Sequence, residues 1–76
     1  MTERISMSPN VCHGKPVIRG TRVLVGNILG ALAGGETMDQ VQEDYPGITR
    51  ADVYAALRFA GELAQCEEVA GELVPA

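Results

Sequence analysis

Thr37-Met38-Asp39-Gln40-Val41-Gln42-Glu43-Asp44-Tyr45-Pro46-Gly47-Ile48-Thr49-Arg50-Ala51-Asp52-Val53 carries two helix starts separated by one stop. Thr37 followed three residues later by Gln40 matches a capping box, in which each side chain satisfies a backbone amide that the first turn leaves orphaned. Met38, Val41 and Tyr45 then form an apolar stripe at helical spacing. Pro46-Gly47 breaks that helix, and Thr49 begins the next by capping it, with Asp52 in the first turn favourable to the helix dipole. Helix, short turn, helix is the reading this stretch imposes.

Downstream, Val53, Ala56, Leu57, Ala60, Leu63 and Ala64 predict a broad buried face on the second of these helices. Upstream, Val25, Ile28, Leu29 and Leu32 recur at helical spacing, and Gly34-Gly35 supplies a left-handed stop. Three helices therefore follow one another from Val25. Before them, Arg4-Ile5-Ser6-Met7-Ser8 alternates polar and apolar side chains, which places Ile5 and Met7 on one face of a short strand ended by Pro9-Asn10. Val17-Ile18-Arg19 makes a second extended piece, and Gly20 permits a tight bend after it. The expected fold is mostly α: a three-helix, helix-turn-helix-like bundle with a short N-terminal β head. Residues 1–24 form the head, 25–65 the helices, and 66–76 an acidic and apolar tail whose Gly71 and Pro75 weaken any continuing helix.

A chain of 76 residues supports one small core, and such a domain hides only about 60% of its unfolded surface, so a homodimer is expected. Cys12 and Cys66 lack the framework of a secreted disulfide protein and read as free thiols. No apolar run preceded by a basic segment opens the chain, and the longest apolar stretch, Val23 to Ala33, is interrupted by Asn27. These features lead to a cytoplasmic protein that does not span a membrane.

The net charge of -4 argues against strong non-specific nucleic-acid binding, yet the charge is divided. Residues 1–35 set four basic residues against Glu3, a balance of +3. Residues 36–76 set two arginines against nine carboxylates, a balance of -7. Such polarity suits two different partners or one charge-complementary interface.

Three weak signals are set aside. Gly14-Lys15 is not a phosphate-binding loop, because Pro9 and Pro16 stand where a glycine and a hydroxyl residue are needed. Cys12-His13 with distant Cys66 does not make a zinc site, since four ligands at ligand spacing are wanted. No nucleophile, base and orienting group fall into a catalytic pattern, so no enzyme, cofactor or metal is expected.

Four signals carry binding. Arg50, Tyr54 and Arg58 fall at i, i+4 and i+8 on the third helix, away from its apolar face, where a recognition helix meets the major groove; a solvated helix face carries the same residues. Arg19 and Arg22 flank the Gly20 bend and either clamp DNA phosphate or an acidic partner, or tie the β head to Asp44 or another helix carboxylate. Gly26, Gly30 and Gly34 leave one ridge of the first helix bare for a neighbouring helix or a second copy. In the tail, Glu67, Glu68, Val69, Glu72, Leu73 and Val74 either cover a basic cleft on a partner or fray as a terminus.

The run from Asn10 to Val23, with Gly14-Lys15-Pro16-Val17-Ile18-Arg19-Gly20-Thr21-Arg22 at its centre, resembles a known pattern together with Asp44-Tyr45-Pro46-Gly47-Ile48-Thr49, Asp52-Val53 and Ala56-Leu57. Over residues 3 to about 63 the chain is similar to the short prokaryotic proteins called domain of unknown function 433, also described as VapB-type antitoxins. The resemblance implies a trihelical, helix-turn-helix-like fold and a gene often beside that of a PIN-like ribonuclease toxin, with no agreed catalytic residues. His13 departs from it, standing where the family commonly has glycine or another small residue. The leading expectation is an antitoxin that binds a PIN-like toxin and its own operator DNA as a dimer. A stand-alone DNA-binding repressor is the alternative, and a subunit that only completes another protein's fold is the third.

Overall fold

The computed structural model describes residues 3–65. Its elements are β1 (Ile5–Ser6), a 3-10 turn (Cys12–Gly14), β2 (Val17–Ile18), α1 (Val25–Ala33), α2 (Met38–Asp44) and α3 (Arg50–Ala64). The chain is mostly α, with a two-stranded antiparallel head in which Ile5 pairs with Ile18 and Ser6 with Val17. The tail residues 66–76 lie outside the described residues.

Local chemistry sets the helix boundaries. α1 ends in a Schellman arrangement: Gly35 takes φ +99°, its amide donates to the Leu32 carbonyl and the Glu36 amide to the Ala31 carbonyl. Both later helices open with complete capping boxes. Thr37 Oγ1 accepts from the Gln40 amide at 3.1 Å while the Thr37 amide donates to Gln40 Oε1 at 2.7 Å. Thr49 Oγ1 accepts from the Asp52 amide at 3.2 Å while the Thr49 amide donates to Asp52 Oδ2 at 2.9 Å. Between these helices Gly47 adopts φ +98°, which an L side chain resists, and the Ile48 amide closes the turn on the Tyr45 carbonyl.

Both strands and all three helices of the described residues reach one core. Ile5 and Ile18 from the head meet Val25 and Ile28 of α1, Val41 of α2, Ile48 of the turn, and Val53, Ala55, Ala56 and Phe59 of α3. Burying these side chains, each contributing roughly 1.5–3 kcal/mol for the larger ones, is what holds the short strands to the helices.

Two sequence expectations are corrected. The first strand is shorter than Arg4–Ser8, and Met7 is 49% exposed instead of sharing the buried face of Ile5. Ser8 pairs with Val11 across the Pro9-Asn10 bend, so the chain leaves the sheet before Met7. The buried face of α3 is also rotated: Leu57 and Leu63 are 43% and 56% exposed, while Ala55 and Phe59 are buried. β1, α1 and α2 all pack on α3, and together they select the side centred on Asp52, Val53, Ala56 and Phe59.

Candidate nucleic-acid interface

The outward side of α3 presents Arg50, Ala51, Tyr54, Leu57 and Arg58, with Tyr54 57% exposed. A step of four residues overshoots the 3.6-residue turn, so a line through Arg50, Tyr54 and Arg58 winds slowly around the helix. The structure divides that line. Arg50, in the first turn, reaches to α2: its Nη2 lies 3.1 Å from Asp39 Oδ1, and Nη1 donates to the same oxygen and to Gln42 Oε1. Tyr54 and Arg58 lie toward the β head, where with Ala51, Ala55 and Arg4 they line a hollow of about 230 Å³.

Arg4 also borders a larger groove of about 640 Å³, lined by Glu3, Arg4, Arg19 and Asp52. Its Nη1 donates to Asp52 Oδ1 at 3.0 Å. Asp52 thus serves the Thr49 cap with one carboxylate oxygen and Arg4 with the other. Burial by itself would push the Asp52 carboxyl up. Hydrogen bonds from the Thr49 backbone amide, the Arg4 guanidinium and the Thr49 side chain, together with the Arg4 charge, more than offset it and hold the group below its ordinary value.

Arg19 borders the larger groove but spends part of its guanidinium on the head itself, Nε donating to the Glu3 carbonyl and Nη2 to the Ile5 carbonyl at 3.2 Å. Among the described residues neither Arg19 nor Arg22 supplies the tie to a helix carboxylate that the sequence suggests; Arg4 and Asp52 make one. Arg22 is exposed on the head, with its carbonyl 3.7 Å from the Cys12 thiol. The partner-binding residues read in the tail, Glu67, Glu68, Val69, Glu72, Leu73 and Val74, lie outside the described residues. α2 carries the exposed carboxylates Asp39, Glu43 and Asp44, and just before it the Glu36 carboxyl is raised above its ordinary value by its hydrogen bond with Asp44, by desolvation and by the Asp44 charge. Gly26 and Gly30 are exposed, with no atom within 4 Å of where a Cβ would stand, so among the described residues no helix packs on that ridge.

The sequence reading missed Arg4. Arg4 and Asp52 stand 48 positions apart, so no local spacing links them in the sequence.

Residues 5–60 match the family model described as protein of unknown function, DUF433. The chain belongs to the DUF433 family. Its fold is similar to the crystal structure of a DUF433 member from Anabaena variabilis, with a TM-score of 0.73 and 30% identity over 78% of this chain and 58% of that one. It is also 31% identical over 58 residues to the uncharacterized protein y4eO of Sinorhizobium fredii. That match takes in 76% of this chain but 26% of y4eO, so the DUF433 unit here spans about a quarter of that relative. Among the described residues, no three His, Cys, Asp or Glu side chains are grouped to hold a metal ion, and no helix is long and apolar enough to cross a membrane.

Proposed function

We propose that this DUF433 chain is a regulatory binding module of the antitoxin type, gripping duplex DNA through α3 and a PIN-like ribonuclease through its acidic tail. The observation that carries the DNA arm is the exposure of Tyr54 and Arg58 on the second helix of a capped helix-turn-helix, beside Arg4. Arginine offers a planar fork for guanine edges or phosphate, and tyrosine a hydroxyl for phosphate. The antitoxin arm is supported by the charge division between the basic first half and the acidic second half that ends in the tail. An acidic, partly apolar segment suits a cleft shaped to hold RNA. A homodimer fits the DNA arm, because paired half-sites on DNA call for two-fold symmetry.

Selection from a randomised duplex library at low salt tests the first arm: the full chain enriches a sequence, and Arg58→Ala loses the enrichment. For the second arm, co-expression with a PIN-like ribonuclease from the neighbouring reading frame is decisive. The full chain captures that enzyme, whereas a chain ending at Gln65 keeps its melting temperature and releases it. A stand-alone repressor is the reading left if only the DNA arm survives, since the residues that build it all lie within 4–58.

A further inference from the structure

We infer that Asp39 of α2 withholds Arg50 from the duplex and so sets the strength with which the α3 face binds. The inference rests on the DNA reading of α3 and deepens it, by separating a cation that meets phosphate, Arg58, from one that is kept back.

Arg50 is the first residue of α3. A cation there opposes the positive end of the helix dipole, so the stability of the helix does not ask for it. The position is instead the one from which the second helix of a helix-turn-helix reaches into the groove. Asp39 stands in the first turn of α2 and gathers both ends of the Arg50 fork onto one carboxylate oxygen, Nη1 and Nη2 each at 3.1 Å, while Gln42 Oε1 accepts from Nη1 at 3.4 Å. The guanidinium is thereby drawn along α2, away from the hollow that Tyr54 and Arg58 line. Its charge is also cancelled at close range: a phosphate approaching Arg50 would meet the Asp39 carboxylate, whose side chain is 78% exposed. Such an open pair adds little to folding stability, so its effect falls on what the surface can bind. A neutral pair displaces no counterion from DNA, whereas an unpaired arginine on a phosphate displaces nearly one.

The experiment measures affinity for a library-selected duplex against salt concentration, using the full chain and variants confirmed as folded by circular dichroism. Freeing one arginine for a phosphate raises the salt slope by about 0.9 and tightens binding about eightfold at 0.1 M salt. Asp39→Ala shows this gain. Glu43→Ala removes a like charge one turn further along α2 and makes the same change in net charge, so it measures the general loss of repulsion alone; its gain is smaller. In an Arg50→Ala background, Asp39→Ala gains no more than Glu43→Ala does, because no arginine is left to release. Equal gains from Asp39→Ala and Glu43→Ala, or a gain from Asp39→Ala of the same size with and without Arg50, overturn the withholding role. So does an unchanged affinity in Asp39→Ala; if Arg58→Ala is impaired in the same assay, the α3 reading stands without it. Failure of both the unaltered chain and Asp39→Ala to bind any duplex overturns the α3 reading and the role of Asp39 together.

Discussion

The Arg4 guanidinium meets the Asp52 carboxylate at 3.0 Å and so fastens the β head to the first turn of α3. The same aspartate closes the capping box with Thr49, which makes one side chain answer for a helix start and for the placement of a distant strand. The two duties differ in energy. The cap serves a backbone amide that the helix leaves without an internal partner, whereas the ion pair is half open to water.

Asp52→Ala is accordingly expected to cost about 1–2 kcal/mol, mostly through the cap. Arg4→Ala should cost less than about 1 kcal/mol, because solvent screens the pair. Urea denaturation of both single variants and the double variant separates the terms; equal losses from the two single changes would show that the pair, and not the cap, dominates.

The two perturbed carboxyls give opposite pH dependences. Asp52 is lowered in the folded state, so its contribution is present above its unfolded pKa and lost as pH falls through the folded value, on the acid side of about pH 4. Glu36 is raised by Asp44, so its contribution is present below its unfolded pKa, about 4.3 for an unperturbed glutamate, and lost as pH rises through the folded value. Melting temperatures between about pH 2 and 7 should therefore fall less steeply on the acid side in Asp52→Asn. Glu36→Gln should melt higher than the parent at neutral pH. An unchanged acid limb in Asp52→Asn would contradict this assignment.

Ile28 has no exposed surface, and Ile28→Ala should cost about 2–5 kcal/mol, enough to unfold much of so small a domain. Leu57, at 43% exposure, should tolerate alanine within about 1 kcal/mol. Chemical denaturation decides between this packing and the face suggested by periodicity, which would make the two losses similar.

What the sequence made legible was local. Thr37 with Gln40, Thr49 at the head of α3, and Gly34-Gly35 announce helix ends because capping and left-handed stops act over three or four residues. The rotation of α3 was not legible: Val53, Tyr54, Ala55, Ala56, Leu57 and Phe59 place apolar surface on several sides, and only the neighbouring elements choose among them. For the same reason Arg50, Tyr54 and Arg58 read as one stripe, although α2 takes Arg50 and the β head side receives the other two. Arg4 with Asp52 is a tertiary contact without local spacing, which no window of sequence reveals.

His13 adopts φ +58° and ψ +31° with its side chain exposed, a conformation that crowds an L residue and suits glycine. A histidine in place of glycine at this position therefore carries a strain of about 1 kcal/mol. His13→Gly should raise stability by a few tenths to about 1 kcal/mol after the greater freedom of the unfolded chain is subtracted. A loss of stability in the same denaturation assay would mean that the imidazole makes a compensating contact.

The proposed DNA-binding face is built from α3 and the β head. Amide chemical-shift mapping of the labelled chain during titration with a selected duplex locates that face directly. The account predicts shifts centred on Tyr54, Arg58 and Arg4, with the acidic outer side of α2 little affected. Shifts centred on Asp39, Glu43 and Asp44, or a spectrum unmoved by any duplex at low salt, would contradict it.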